Sequence, residues 1–260
     1  MRIVIKVGTS TLAHAGGRLN IRRVETLCKV LSDMMNAGCQ LVLVSSGAIG
    51  MGVGKLSLSG RPEDMPGKQA AAAVGQCELM YTYDKLFSEY NHTVAQILLT
   101  ADDIQDPRRS NYVHDTLERL LDWGVLPVVN ENDAVAIDEI GIHTTIGEND
   151  SLSAIVAKLV DADMLVLLSD INGLYTDDPR KNPDATLIPL VEKITPEILS
   201  LAGGSGSALG SGGMATKLKA AQLSMAAGID MVIANGEDPE ALYALLEGKN
   251  IGTKFLGRKA

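Results

Sequence analysis

The stretch RIVIKVGTS, residues 2–10, places a lysine inside an aliphatic run and a glycine where that run ends. Arg2 to Gly8 has the length and composition of a β-strand, and Lys6 is flanked by Ile5 and Val7. A lysine in a buried strand is costly unless it is paired. Two readings stay open. In one, the strand lies at a sheet edge and Lys6 snorkels to water. In the other, Lys6 is a cation aimed at a ligand phosphate, Gly8 lets the backbone approach closely, and Thr9 and Ser10 add hydroxyl donors.

Five more runs share this form: QLVLVSSG (40–47), TVAQILLT (93–100), VLPVVNEN (125–132), DMLVLLSD (163–170) and DMVIANG (230–236). Helical periods separate them. Val24, Leu27, Cys28, Leu31 and Met35 share one face, as do Leu152, Ile155, Val156 and Leu159, and later Met214, Leu218, Ala221 and Met225. The segment 67–90 is alanine-rich and helical in pattern. This alternation predicts an α/β fold with a mostly parallel, doubly wound central sheet. Residues 133–147 read as a short hairpin or flap, and 172–191 as a turn-rich excursion with a second hairpin. One domain with two lobes is the simplest organisation.

Composition narrows the function. Hydrophobic residues make up 46% of the 260 but aromatics only 3%, so the core is aliphatic, as in a sheet covered on both faces. The net charge of −9, without a Lys/Arg block, argues against nucleic acid as a partner. Any anion site must therefore be built locally, from a few lysines, glycine amides and helix N-termini. Cys28, Cys39 and Cys77 have no C-x-x-C spacing and read as reduced thiols packed as small hydrophobes. The histidines are scattered, and no metal-ligand cluster is visible. No signal peptide is evident and no apolar run approaches membrane-spanning length, so a soluble, cytoplasmic protein is expected.

Ligands of open parallel sheets bind beyond the carboxyl ends of the strands. Those ends carry KVGTS, VSSGAIG, NEND, LSDING and ANGE. Ser45, Ser46 and Gly47 either cap a helix or offer the same amides to a ligand. Asn130, Asn132 and Asp133 either form an Asx turn or recognise a substrate with both a positive and a negative group. Asn149 and Asp150 begin an amphipathic stretch; they are a helix cap, or Asp150 orients cations. LSDINGLYTDDP (168–179) misses the calcium-loop spacing and reads as a turn cluster. GSGGMATK (210–217) is neither a phosphate loop of the G-x-x-x-x-G-K-[ST] form nor a strand-borne dinucleotide fingerprint. It supplies free amides and then Lys217 in a first helical turn, where a cation opposes the helix dipole and is better explained by a bound anion. Two lysines, two glycine loops and a carboxylate between them are what phosphoryl transfer requires.

With these motifs in this order, the chain resembles the amino acid kinase superfamily and, within it, the glutamate 5-kinase family. IKVGTSTL, VSSGAIGMG, PVVNENDAVA, GENDSLSA, LLSDINGLYTDDPRKNP and GSGGMATKLKAAQLSMAAGID carry the resemblance over nearly the whole length. The acetylglutamate, carbamate, uridylate and aspartate kinases share the first glycine motif and the sheet, but not NENDAV with GGMATK. The resemblance implies a three-layer α/β/α sandwich with a substrate lobe over about 1–150 and a nucleotide lobe over about 151–260. It implies transfer of phosphate from ATP to the side-chain carboxylate of L-glutamate, the first step of proline biosynthesis. Lys6, Lys217 and Asp150 would be catalytic; Ser46, Gly47, Asp133 and Asn149 would hold glutamate. Lys6, Gly8, Ser169, Asp170, Ser211, Gly212, Gly213, Met214, Ala215, Thr216 and Lys217 would hold ATP, with Mg²⁺ carried by its phosphates and no protein metal site. A homo-oligomer (dimer or tetramer), hand-off to a glutamyl-phosphate reductase and feedback by proline are implied as well. Glu148, Ser169 and Ala215 depart from the Asp, Thr and Ser of bacterial relatives, and the C-terminal PUA domain of many relatives has no counterpart after Ala260. The alternatives are a same-fold kinase for another small carboxylate or phosphate acceptor, or a non-catalytic amino-acid or nucleotide sensor.

Overall fold

Lys6 lies in the middle of the sheet, not at its edge. The structure, a computed structural model, describes residues 1–14, 18–135, 149–202 and 213–257. The aliphatic runs are strands β1 (Arg2–Val7), β2 (Gln40–Ser45), β3 (Val94–Leu99), β4 (Leu126–Glu131), β5 (Met164–Ser169) and, after the short β6 (Leu190–Val191), β7 (Asp230–Asn235); β8 (Thr253–Phe255) follows. Their order across the sheet is β3-β4-β2-β1-β5-β7-β8-β6. The pairings are parallel except β7 with β8. The chain passes from β1 to β2 on one side and later joins β5 on the other. A topological switch point therefore falls beside β1, where open α/β sheets place their ligands.

Between the strands run α1 (Thr9–Leu12), α2 (Ile21–Asn36), α3 (Ala48–Lys55), α4 (Met65–Ser88), α5 (Ala101–Gln105), α6 (Pro107–Asp122), α7 (Asn149–Leu159), α8 (Pro196–Ser200), α9 (Met214–Ala226) and α10 (Ala241–Leu246). Their starts are written in the sequence. Asn20, Asp64 and Asp106 each accept a backbone N–H of the first turn, and Pro66 and Pro107 occupy first-turn positions where no donor is needed.

The strands alternate faces with period 2. Ile3, Ile5 and Val7 of β1 join a core layer with α2, α3 and α4, whereas Val4 faces the layer containing α7 and α9. By this alternation Lys6 shares the face of Val4. The result is an α/β/α sandwich.

Several local expectations shift. In α2 the buried side includes Val30 and Met34, and Met35 is only half-buried; Ile155, Leu159, Met214 and Met225 are also half-buried. These faces are wider than a minimal helical stripe because each helix packs on a twisted sheet and on its neighbours. Cys28 is buried and Cys39 half-buried, but Cys77 is exposed on α4, so it is not a core residue. The excursion at 172–191 closes through one antiparallel bridge, Tyr175 to Leu187, and then contributes β6, which pairs in parallel with β8. Of the 133–147 hairpin, residues 136–147 lie outside the described residues, as does most of the glycine loop at 203–213.

The alanine-rich segment has a partner inside the chain. α4 crosses α3 so closely that a Cβ on Gly52 would fall 1.8 Å from the Ala71 carbonyl oxygen. One on Gly75 would fall 1.8 Å from that of Ala48. Gly75→Ala should lower the unfolding free energy by about 2–3 kcal/mol, because backbone must move to admit the methyl group. Urea melts measure this, and an unchanged midpoint would show that the crossing relaxes freely.

Candidate active site

Three charged side chains from distant parts of the chain meet at the carboxyl end of β1. Asp150, in the first turn of α7, is 2% exposed; Lys6 is 8% and Lys217 5% exposed. Lys6 Nζ lies 2.7 Å from Asp150 Oδ1, and Lys217 Nζ lies 3.1 Å from Asp150 Oδ2. The Thr216 hydroxyl, with one proton to give, lies 2.8 Å from Asp150 Oδ2 and 2.9 Å from the Gly213 carbonyl. Burial by itself would raise the Asp150 carboxyl. The charges of Lys6 and Lys217 and the hydrogen bonds from Lys6 and Thr216 outweigh it and hold the group at about 2. Gly8 is beside this cluster: a Cβ there would sit 3.6 Å from Lys6 Nζ.

A second cluster adjoins the first through the Asn149–Asp150 step. Asn149 Nδ2 donates to Ser46 Oγ at 2.7 Å, and lies 3.1 Å from both the Ser45 carbonyl and Asn130 Oδ1. Asn130 Nδ2 donates to Gln76 Oε1 at 2.9 Å. Gly47 begins α3 with φ +94°, a left-handed conformation that glycine adopts without strain, and this turn brings Ser46 to the strand end. Asp133 lines a cavity of about 640 Å³ between α4 and the ends of β3 and β4, together with Ala48, Gln76, Glu131 and Asn132.

A third group stands at the end of β5. Ser169 Oγ donates to Asp170 Oδ1 at 3.1 Å, and Asp170 pairs with Arg180 at 3.1 Å. Gly213 is the N-cap of α9, with Met214 half-buried and Ala215 exposed. Ser211 and Gly212 lie outside the described residues.

The profile of the Amino acid kinase family matches residues 1–235. The chain belongs to the amino acid kinase family. Two curated relatives place it beside one branch of that family. A glutamate 5-kinase of Clostridium perfringens is 55% identical over 99% of this chain and 96% of its own length. One of Listeria monocytogenes is 51% identical over 99% and 94%. Among solved structures, carbamate kinase from Giardia lamblia bound to AMP-PNP aligns with TM-score 0.69 at 20% identity, covering 99% of this chain and 98% of its own. UMP kinase from Bacillus anthracis aligns at 0.66 and 15%, covering 99% and 96%. At such identities these two speak for the fold alone.

For this kinase-family chain, sequence reasoning named Lys6, Asp150 and Lys217, and the fold brings them together. It named Asn130 as either a turn residue or a substrate contact, and it missed Gln76. Gln76 had a signal: it is the polar residue on the otherwise apolar helical face Ala72, Leu79, Tyr83 of α4. Among the described residues no three His, Cys, Asp or Glu side chains gather as a metal site, so no residue is assigned to Mg²⁺. Nor is any described helix long and apolar enough to cross a membrane.

A carboxyl held at about 2 in the fold and near ~3.9 when unfolded stabilises the protein above the higher value. That contribution is lost as pH falls through the lower one. Asp150→Asn should therefore cost about 3 kcal/mol at pH 7, the order of a broken buried pair. It should also flatten part of the stability loss between about pH 4 and pH 2. Urea melts over a pH series check both; an acid limb identical to that of the parent would exclude Asp150 as its source.

Proposed function

We propose that the chain transfers the γ-phosphoryl group of ATP to the side-chain carboxylate of L-glutamate, giving L-glutamyl 5-phosphate, the first step of proline biosynthesis. The observation that carries this reading is the pair of buried lysines converging on Asp150, beside an amide and hydroxyl cluster suited to an amino acid. The similarity to glutamate 5-kinases over nearly the full length supports the choice of acceptor.

In this reading Lys6 and Lys217 contact the transferred phosphoryl group, and Asp150 fixes both ammonium groups. Ser46, Gly47, Asp133 and Asn149 hold glutamate in a lobe formed by roughly the first 150 residues. Ser169, Asp170 and the segment Ser211, Gly212, Gly213, Met214, Ala215, Thr216 and Lys217 hold ATP in the remainder, with Gly8 at the end of β1 beside them. A glutamate side chain, with a pKa of about 4.3, is already ionised at neutral pH, so no general base is required. Its carboxylate oxygen forms a bond to the γ-phosphorus as the bond to the β,γ-bridging oxygen breaks, and ADP leaves. The obstacle is the approach of two anions, which the two ammonium groups and the backbone amides at the start of α9 offset. Mg²⁺ would accompany the ATP phosphates and add further charge neutralisation.

Trapping tests the reaction. Protein, Mg-ATP, hydroxylamine and glutamate should yield γ-glutamyl hydroxamate, while aspartate and acetylglutamate should not. Hydroxamate from another acceptor alone would move the substrate, and none at all would remove the activity. Lys217→Met should lower kcat by about 100-fold or more, as for loss of a transition-state charge contact. Its KM for glutamate should stay within about threefold, since a contact made mainly in the transition state is read in kcat; a near-normal kcat would exclude that role.

A further inference from the structure

We infer that Gln76 is a positioning residue that braces the direction in which the Asn149 amide faces, and so strengthens the preference of the acceptor site for an acid that carries an ammonium group. This rests on the placement of glutamate beside Asn149 proposed above. The link is a chain of three side-chain amides. Gln76, on α4, is buried and offers Oε1 to Asn130 Nδ2 at 2.9 Å. Asn130 is buried too, and with its nitrogen so engaged its oxygen must be the acceptor on the other side. Asn130 Oδ1 does accept there, from the Glu131 backbone N–H at 2.9 Å and from Asn149 Nδ2 at 3.1 Å. Each amide has one accepting and one donating end, so the three orientations hold one another in one sense, the same sense that the Glu131 N–H and the Ser45 carbonyl impose from the backbone. Ser45 and Ser46 reinforce the last link by presenting oxygens to the same Asn149 nitrogen.

The consequence falls on Asn149 Oδ1. It is buried and, among the described residues, has no hydrogen-bond partner. A buried carbonyl in that state is costly until a donor arrives. The carboxylates of a diacid cannot donate; an ammonium group can. Were the Asn149 amide turned over, the same place would present N–H groups and would no longer favour an ammonium group. Gln76 thus acts at a distance on the choice between glutamate and the same five-carbon diacid without the amine, glutarate.

Gln76→Met keeps the length and removes the acceptor. The readouts are KM for glutamate and the competitive inhibition constant of glutarate, taken on the same sample so that partial loss of fold cancels in their ratio. We expect KM for glutamate to rise about tenfold, the order of a lost hydrogen bond to a charged group, with the glutarate constant within about twofold. Gln76→Glu, which still presents an oxygen to Asn130, should keep the parental ratio. A parallel rise of both constants in Gln76→Met would overturn the inference in favour of simple packing, and so would no change in either. Asn149→Ala with an unaltered KM for glutamate would instead overturn the placement of the substrate, so the two failures are distinguishable.

Discussion

The Asp150 carboxylate, held between the ammonium groups of Lys6 and Lys217, ties together three elements that are far apart in sequence. Charged groups this deeply buried are tolerated only when each is paired in good geometry. The demand reaches into the sheet. A one-residue slip of β1 would carry Lys6 to the opposite face and set an aliphatic side chain against Asp150. Register, the docking of α7 and the docking of α9 must therefore all be right together. The first turn of α7 helps, because a helix N-terminus favours a carboxylate. Lys217 gets no such help in the first turns of α9, and its pairing with Asp150 is what makes that position tenable.

Helix α4 supplies the second constraint. Gly75, set against Ala48 of α3, lets two backbones approach within a distance that a methyl group would forbid. One position later Gln76 meets Asn130, and a further seven residues on the buried Tyr83 hydroxyl lies 2.9 Å from Ser45 Oγ. Positions 76 and 83 share a helical face. The same close packing that seats α4 thus brings two polar groups to the ends of β2 and β4. Close backbone packing and these two polar contacts are carried by one surface of one helix, so neither can drift without the other.

Much of this was legible in the sequence, for identifiable reasons. The aliphatic runs became strands because a sheet covered on both faces needs continuous apolar residues, and few other segments supply them. Lys6 stood out because charge within such a run is expensive. Asp150 and Lys217 were marked by helix-start patterns. β8 and β6 were not legible: three and two residues long, they pair because β7 offers an edge, which is a tertiary fact. Gln76 and Asn130 were missed as a pair because they are 54 residues apart: the apolar face of α4 marks Gln76 as buried, but nothing local says which group it meets. Cys77 was misjudged because a helical pattern gives the face of a residue only relative to its neighbours.

The net charge of −9 sharpens the role of the cluster. A molecule of that charge repels anionic ligands at long range, and salt screens the repulsion over about 10 Å. Attraction must then come from groups close to the bound anion, in surroundings where water screens them little. Bare buried lysines would not serve, because desolvation favours their neutral form. A carboxylate that stays ionised down to about pH 2 keeps a negative charge against both ammonium groups throughout the neutral range. It also holds them in place, so that the proposed binding of phosphate would need little reorganisation. The same carboxylate draws on the charge it preserves. In the proposed reaction a phosphoryl group would have to share the lysines with Asp150, so the carboxylate that positions the two cations also moderates how tightly they hold either ground state.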